Sequence, residues 1–243
     1  DKYMGWVDGS GIHPMTDKDM KQWNTGKKII FTDYTGFVYR AANINEGVVS
    51  DIILGNILKN TGHAGDFYQV AFPDQRTGYV KKSQAKPINT WLNDIELTGE
   101  SLAELSEMFM GIPYLWGGTS FKGLDCSGFV KTVYFMHGII LQRDASQQVL
   151  YGQEISTANN YKNLQKGDLL FFGGGKRITH VGMYIGNLEY IHEAGRVRLN
   201  SLDPNAEHFN EYRAKTLRKV RRIIGSENST GITTINTNEF YKE

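Results

Sequence analysis

The sequence of 243 residues has one cysteine, no long apolar run and almost no excess charge. A single thiol forms no disulfide within the chain and is too few for a cysteine-ligated zinc or iron–sulfur site. No apolar run approaches the ~20 residues that a membrane-spanning helix needs. Lys and Arg number 27 and Asp and Glu 26, and the net charge of +1 argues against binding nucleic acid by neutralising phosphates. We therefore expect no membrane span, no nucleic-acid partner and no cysteine-ligated metal.

The composition indicates a folded chain. Hydrophobic residues make up 40% and charged residues 22%, which is ordinary for a folded protein and wrong for a disordered one. The length suits one large domain or two small ones. The chain begins at Asp1 with neither an initiator Met nor a signal-peptide pattern, so we expect a mature or trimmed form whose compartment is not readable from the sequence.

Short β-like runs separated by turns precede residue 100, without helical periodicity. They lie at residues 28–31, 36–40, 51–54, 67–72 and 78–81. This spacing predicts a small antiparallel barrel or sandwich. Tyr3-Met4-Gly5-Trp6-Val7 also resembles Thr77-Gly78-Tyr79-Val80. We interpret residues 1–15 as the last strand of an earlier barrel, an interpretation that so short a match leaves open.

Helices and then strands are predicted after residue 100. Ser101 and Glu104 fit a capping box at the start of a helix that Gly111 and Pro113 end. A second helix should begin at about Cys126 and a third should cover residues 144–151. The strands are predicted at residues 169–172, 178–185, 188–194 and 217–224. This order indicates an α+β domain.

Cys126 lies where a glycine-rich loop enters the second predicted helix. Unpaired amides and the positive end of the helix dipole stabilise a thiolate there, so we predict a low pKa for Cys126. A thiolate attacks carbonyl carbons, and amides of the first helical turn can donate to the resulting oxyanion. The alternative is an inert, buried cysteine.

Two of the six histidines are placed to serve as a base and its orienting group, which a nucleophilic cysteine needs. His180 and His192 lie on the two arms of a hairpin predicted around Gly186-Asn187. Each alone is more simply a half-buried histidine satisfied by the backbone. No third ligand of suitable spacing accompanies them, so we expect no zinc site.

The hairpin register decides whether the two histidines meet. With a two-residue loop, paired residue numbers sum to 373, and His180 and His192 point to opposite faces. An odd-length loop or a bulge makes the sum 374, which sets His192 opposite Gly182 and pairs Met183 with Ile191. A Cys–His–His site therefore requires a three-residue loop or a bulge.

Three blocks of the sequence resemble the motifs of the NlpC/p60 cell-wall cysteine peptidases. They are Asp125-Cys126-Ser127-Gly128, His180-Val181-Gly182-Met183-Tyr184-Ile185-Gly186 and Ile191-His192-Glu193-Ala194. The resemblance covers about residues 100–224 and implies a papain-like α+β fold with helices packed on an antiparallel sheet. The preceding region resembles the bacterial SH3-like domains often joined to this family. The combination is similar to the γ-D-glutamyl-L-diamino acid endopeptidases (dipeptidyl-peptidase VI), which cut murein peptides between D-Glu and the diamino acid.

The resemblance implies a domain organisation. Residues 1–25 would be the remnant of a preceding SH3-like domain with a linker, residues 26–88 an SH3-like domain and residues 89–100 a linker. Residues 101–224 would be the peptidase domain and residues 225–243 a C-terminal tail.

The resemblance also implies catalytic roles. Cys126 becomes the nucleophile, and His180 becomes the general base that takes the thiol proton and later protonates the leaving amine. His192 becomes the polar third member that holds the His180 ring. Tyr114 matches the family tyrosine whose hydroxyl helps the oxyanion. No cofactor or metal is implied.

The implied substrate contacts are Asp125, Ser127, Asp144 and Trp6. A free L-Ala amine brings a positive charge into the site, and Asp125 or Asp144 should meet it. Asp125 is alternatively a helix N-cap. Relatives often have Ser where Ala145 stands here.

Aromatic residues carry further expectations with structural alternatives. In the relatives, the SH3-like domain walls off one end of the groove and excludes glycan-linked peptides. Trp6 is the aromatic expected nearest that wall, although a core position is the alternative for Trp6. Core packing is equally the alternative for Tyr114 and Trp116.

A basic cluster near the C-terminus is interpreted as a solvated face, with attraction to wall polymers or to diaminopimelate carboxylates as the alternative. Its members are Arg213, Lys215, Arg218, Lys219, Arg221 and Arg222.

The expected function is hydrolysis of the γ-D-Glu–diamino acid bond of murein peptides with a free N-terminal L-Ala, in cell-wall peptide turnover. The diamino acid is diaminopimelate or lysine. An endopeptidase or amidase acting on intact peptidoglycan is the first alternative, and a non-catalytic wall-binding protein is the second. We expect an exported monomer of the periplasm or cell envelope, with a cytoplasmic location left open.

Overall fold

The computed structural model describes residues 4–175, 177–238 and 240–241. They form two compact units. The N-terminal unit consists of Met4–Ile95 and the described residues after position 235, and the C-terminal unit consists of Glu96–Ile235. Among the helices of the described residues, none has the length and apolarity needed to cross a membrane.

The N-terminal unit is built around one antiparallel sheet. Its helices are α1 (Asp17–Asn24) and α2 (Ile88–Asp94). Its strands are β1 (Lys28–Phe31), β2 (Thr35–Ala41), β3 (Asn43–Ile53), β4 (Ile57–Ala64), β5 (Phe67–Ala71), β6 (Thr77–Lys81) and β7 (Ala85–Pro87). The strand order is β3-β2-β6-β5-β4-β1-β7. Apolar side chains on one face of these strands form a core that includes Ile29, Phe31, Val38, Leu58, Val70 and Val80.

Several expectations for this unit need correction. The pairing leaves β3 and β7 at the ends of the sheet and does not close a barrel among the described residues. Helices α1 and α2 and strand β4 were not predicted, although Thr16 and Asp19 form a capping box at the start of α1. Residues 4–15 hold no strand and only a 3₁₀ turn at Gly9–Gly11, so the strand predicted within residues 1–15 is wrong there. Tyr3 lies outside the described residues.

The C-terminal unit combines helices with a six-stranded antiparallel sheet. Its helices are α3 (Gly99–Glu107), α4 (Cys126–Phe135), α5 (Ala145–Gln148) and α6 (Glu211–Thr216). Its strands are β8 (Thr119–Ser120), β9 (Gly123–Leu124), β10 (Ile139–Ile140), β11 (Gln153–Glu154), β12 (Leu169–Gly174), β13 (Arg177–Gly186), β14 (Glu189–Glu193), β15 (Val197–Ser201), β16 (Leu217–Arg222) and β17 (Thr233–Thr234). The large sheet has the order β11-β16-β12-β13-β14-β15. The mixed helix and sheet architecture predicted for this region is confirmed.

Both faces of the central strand β13 are buried. Helix α4 packs across β13 and buries Phe129, Val130 and Val133. A second apolar cluster includes Phe172 and Tyr190. The start of α4 therefore lies against the strand that carries His180.

Local signals placed some boundaries of this unit correctly and others wrongly. Helix α4 begins at Cys126 as predicted. The capping box of α3 is formed by Thr98 and Ser101 rather than by Ser101 and Glu104. Helix α5 is shorter than the predicted 144–151, and β15 was not predicted. Ile232 and Ile235 are buried and β17 pairs with β10, so the described chain up to residue 235 packs into this unit.

Candidate active site

The β13–β14 hairpin brings His180 and His192 together. Met183 pairs with Ile191, which gives the sum of 374, and a bulge lies between Tyr184 and Gly186. A Cβ atom built on Gly182 would lie 3.0 Å from Cβ of His192, so Gly182 faces His192 across the hairpin. The predicted bulge and register are confirmed.

A chain of hydrogen bonds runs from His180 on β13 through His192 on β14 to Asn200 on β15. Nε2 of His180 lies 2.7 Å from Nδ1 of His192, and Nε2 of His192 lies 2.8 Å from Oδ1 of Asn200. The amide nitrogen of Asn200 donates to the carbonyl oxygen of His208 at 2.8 Å. Sequence reasoning missed Asn200, because it lies on the unpredicted strand β15.

This chain fixes the tautomers of both imidazoles. Because the amide oxygen of Asn200 can only accept, Nε2 of His192 carries the proton. Burial lowers the pKa of His192 to about 4, so near pH 7 its Nδ1 is unprotonated and accepts from Nε2–H of His180. Burial also lowers the pKa of His180 well below its ordinary value, with Arg213 and His192 adding to the shift. His180 therefore rests neutral with a free lone pair on Nδ1, as a general base requires.

Cys126 is buried at the start of α4, next to the strand of His180. Backbone amides of Val181 and Ser127 donate hydrogen bonds to its sulfur. Since Val181 directly follows His180, the sulfur is held against the part of β13 that carries the base.

The predicted low pKa of Cys126 is wrong. Burial raises the pKa of the thiol, and the charge of Asp125 adds to this shift. The amides of Val181 and Ser127 and the charge of Arg213 lower the pKa but do not compensate. Burial changes the thiol pKa more than the helix terminus does. At rest, both the Cys126 thiol and the His180 imidazole are therefore neutral.

Asp125 is the N-cap of α4, and both of its carboxylate oxygens accept hydrogen bonds. Its carboxylate accepts from the backbone amides of Gly128 at 2.7 Å and Gly117 at 3.1 Å. It also receives both terminal nitrogens of Arg143, at 2.6 and 3.1 Å. Burial raises the pKa of Asp125, but the bonds from Arg143 and Gly128 outweigh it and hold the pKa below its usual range. The N-cap interpretation is therefore confirmed.

Ser127 belongs to the same buried group. Its hydroxyl donates to Asp125 and accepts from Arg143, each at 3.1 Å. A Cβ atom on Gly128 would overlap the carbonyl oxygen of Gly118, so only glycine allows the loop to lie against α4 here. These contacts fix the segment on both sides of Cys126.

The remaining predicted site residues differ in their surroundings. Asp144 is half-exposed and lies 4.0 Å from Arg143 through its carboxylate oxygen. Tyr114 pairs through its backbone with Leu124, two residues before Cys126. Burial raises the pKa of Tyr114, and the charge of Cys126 adds to the shift. Trp116 is 87% exposed, so core packing is wrong for it. Trp6 is fully exposed in the N-terminal unit, and its contact with substrate stays a prediction.

The basic cluster is not a uniform solvated face. Arg222 forms a bidentate ion pair with buried Asp168, and Lys219 pairs with Glu154. Arg213 instead lies over the ring of Phe172, 5.7 Å from the centroid. Phe172 in turn packs 5.8 Å from the ring of His180, so Arg213 borders the candidate site.

The comparisons with known proteins agree with this geometry. The sequence profile of the NlpC/P60 family matches residues 111–222. A probable endopeptidase NlpC homolog of Haemophilus influenzae is 34% identical over 154 residues, which cover 62% of this chain and 74% of that protein. The chain belongs to the NlpC/P60 family. It is also similar to the γ-D-glutamyl-L-lysine dipeptidyl-peptidase of Bacillus cereus, at 39% identity over 129 residues, 51% of this chain and 37% of the relative.

A solved structure extends the similarity beyond the matched region. The crystal structure of an NlpC/P60 family protein from Bacillus cereus superposes with a TM-score of 0.69 at 27% identity, covering 85% of this chain and 66% of that one. The γ-D-glutamyl-L-lysine dipeptidyl-peptidase of Bacillus subtilis is 29% identical over 78% of this chain and 60% of its own length. The chain thus spans about 37% and 60% of the two dipeptidyl-peptidases that it matches. The curated relatives named here are all described as peptidases.

Proposed function

We propose that the protein is a cysteine peptidase that hydrolyses the bond between γ-D-Glu and the diamino acid in murein peptides with a free N-terminal L-Ala. The observation that carries the proposal is the hydrogen-bonded chain from Asn200 through His192 to His180, together with the bond from the backbone amide of Val181, the next residue after His180, to the sulfur of Cys126. Two of the named relatives act on γ-D-glutamyl-L-lysine, which supports this bond as the target.

The proposed reaction starts from the neutral pair. As the sulfur of Cys126 bonds to the γ-carbonyl carbon of D-Glu, its proton passes to Nδ1 of His180. The carbonyl oxygen becomes an oxyanion, and the Tyr114 hydroxyl donates to it. The C–N bond then breaks, and His180 returns the proton to the leaving amine. Water, deprotonated by His180, cleaves the thioester and releases L-Ala-D-Glu.

The free amine of the substrate needs a carboxylate, and Asp144 is the better candidate of the two expected ones. Asp125 already accepts four hydrogen bonds from Arg143, Gly128 and Gly117 and a fifth from Ser127. Asp144 is half-exposed, takes part in a capping box with Gln147 at the start of α5, and lies 4.0 Å from Arg143. We assign amine binding to Asp144 and a structural role to Asp125 and Ser127.

The N-terminal unit is proposed to be an SH3-like domain. Its support is a unit of seven short antiparallel strands around one core, and a similarity to the solved structure that covers 85% of the chain. We propose action at the cell envelope, where peptidoglycan is found.

The function is tested with L-Ala-γ-D-Glu-L-Lys, its diaminopimelate analogue and the N-acetylated form of each. We expect release of L-Ala-D-Glu from the free-amine peptides at a rate at least about tenfold that for the acetylated ones, because a charge-assisted contact is lost on acetylation. Asp144→Asn should lower the ratio of the free-amine rate to the acetylated rate. Glu104→Gln, on the exposed face of α3, should leave that ratio unchanged. Equal rates would remove the free-amine requirement, and cleavage of intact peptidoglycan would favour the endopeptidase alternative.

A further inference from the structure

Three side chains that carry hydrogen-bond donors lie near His192, namely those of Tyr190, Arg198 and Arg213. Tyr190 is fully buried, and its ring lies 5.0 Å from that of His192. Within the part of the chain that the structure describes, neither its hydroxyl nor the buried Nε of Arg198 has a hydrogen-bond partner. Arg198 lies directly opposite His192 on β15. Buried donors are usually satisfied, so these two side chains have hydrogen-bonding capacity that the described residues leave unused.

Arg213 completes the group from α6. Its guanidinium lies over Phe172, and Phe172 packs 5.4 Å from Tyr190 and 5.8 Å from His180. Arg213 and Arg198 each form no ion pair with a carboxylate of residues 4–175, 177–238 or 240–241. Burial raises the pKa of Glu193 to about 7, against the lowering effect of the charge of Arg198. Among the described residues, neither carboxylate oxygen of Glu193 has a hydrogen-bond partner.

The electrostatics of the group agree with this geometry. Burial raises the pKa of Tyr190, whereas Arg213 and Arg198 both act to lower it. Burial lowers the pKa of Arg213, and the positive charge of Arg198 adds to that shift. Two like charges held near one buried phenol are best compensated by an anion that all three can contact.

We propose that Arg213, Arg198 and Tyr190 form a subsite for a carboxylate, and that its ligand is the α-carboxylate of the diamino acid. The proposal rests on the proposed function. His180 must protonate the nitrogen of the leaving diamino acid, so that residue lies on the His180 side of the cleft. Its α-carboxylate is two bonds from this nitrogen. Arg213 borders His180, whereas Asp144 and Arg143 lie with Asp125 at the start of α4.

This subsite predicts selection for a terminal diamino acid. In L-Ala-γ-D-Glu-L-Lys the α-carboxylate is free, but in longer stem peptides it is part of an amide bond. A bidentate guanidinium–carboxylate contact is lost in the longer peptide, and the buried donors are left unpaired.

The experiment measures binding to the Cys126→Ala protein by calorimetry, so that it does not depend on turnover. The ligands are L-Ala-γ-D-Glu-L-Lys and its α-amide. We expect the acid to bind about 10- to 100-fold more tightly than the amide. Adding Arg213→Gln should bring the ratio close to one, because only the acid uses the guanidinium. Adding Lys215→Gln, an exposed residue paired with Glu211 on the same helix, should leave the ratio unchanged.

Several other outcomes would overturn the subsite. Equal affinities for acid and amide, no binding of either, or a ratio that survives Arg213→Gln would contradict it. With diaminopimelate peptides, a loss on amidation of the side-chain carboxylate but not of the α-carboxylate would contradict the assignment to the α-carboxylate. Discrimination without hydrolysis by the unaltered protein would refute the proposed function while supporting the subsite.

Discussion

The side-chain amide of Asn200 determines which nitrogen of His180 is available to take a proton. Its own orientation is set by the carbonyl of His208, because only the amide nitrogen can donate there. Each imidazole then has one possible tautomer, and the lone pair of His180 is left at Nδ1. Asn200 therefore acts as a positioning residue through His192.

Replacing Asn200 tests this relay. Asn200→Ala should lower kcat roughly tenfold or more with little change in KM, because His192 can then adopt the wrong tautomer and His180 loses its orientation. Asn200→Asp retains an acceptor and should recover most of the loss, with a pH–rate profile shifted towards higher pH because a carboxylate raises the pKa of His192. Steady-state kinetics across pH checks both variants. Equal losses in both would indicate a merely structural role.

The protonation state of Cys126 gives a second residue-scale prediction. Because burial raises the thiol pKa, alkylation by iodoacetamide should be slow at pH 7 and should increase above about pH 8.5, the ordinary cysteine value. Mass spectrometry of the Cys126 peptide across pH measures this rate. Rapid alkylation at pH 6 would instead indicate a thiolate–imidazolium pair at rest.

At the scale of elements, the site depends on how closely the hairpin arms and α4 approach each other. The bulge in β13–β14 gives both histidines the same face, and Gly182 leaves room for His192. Helix α4 brings Cys126 to β13, where the amide of Val181 meets the sulfur. The absence of a side chain at Gly182 sets how closely His192 approaches β13.

Gly182→Ala tests this spacing. The added Cβ would lie 3.0 Å from Cβ of His192 and 3.1 Å from Cδ2 of Tyr190, so one of these side chains must move by a few tenths of an ångström. We expect kcat to fall by roughly one to two orders of magnitude, since small displacements of catalytic groups are costly. Gly174→Ala on β12 meets nothing within 4 Å and is the matched control. Comparable activities for the two variants would show that the spacing is not critical.

Sequence signals identified the elements of the site better than their electrostatics. The start of α4 and the register of the hairpin follow from local patterns, namely a loop-to-helix cysteine and paired apolar residues. The pKa of Cys126 depends on burial by residues that are distant in the chain. Likewise, Arg213 is placed by its packing on Phe172, which lies far from it in the sequence. Asn200 gave no local signal because its strand was not recognised, and the start of α3 was misplaced because two overlapping capping patterns compete within residues 98–104.

At the scale of the whole molecule, the buried histidines link stability to pH. His192 has a pKa of about 4 when folded and about 6.5 when unfolded, so the unfolded chain binds more protons between these values. Its contribution is complete above pH 6.5 and is lost as pH falls towards 4. The corresponding loss in the free energy of unfolding is about 3 kcal/mol.

Denaturant unfolding between pH 7 and pH 4 checks this linkage. The loss of stability should be smaller in His192→Asn than in the unaltered protein, irrespective of how much the substitution destabilises at pH 7. His63→Asn, at an exposed position in the N-terminal unit, should retain the full loss. An identical pH dependence in all three proteins would contradict a neutral, buried His192.

The central claim is that the sulfur of Cys126 forms a covalent bond with the γ-carbonyl carbon of D-Glu, and rapid acid quenching during turnover tests it most directly. The protein is mixed with L-Ala-γ-D-Glu-L-Lys, quenched, digested and analysed by mass spectrometry. The account predicts a peptide containing Cys126 that is heavier by L-Ala-D-Glu less one water, and its absence in Cys126→Ala. Release of L-Ala-D-Glu by Cys126→Ala at the rate of the unaltered protein, or an adduct on another residue, would contradict it.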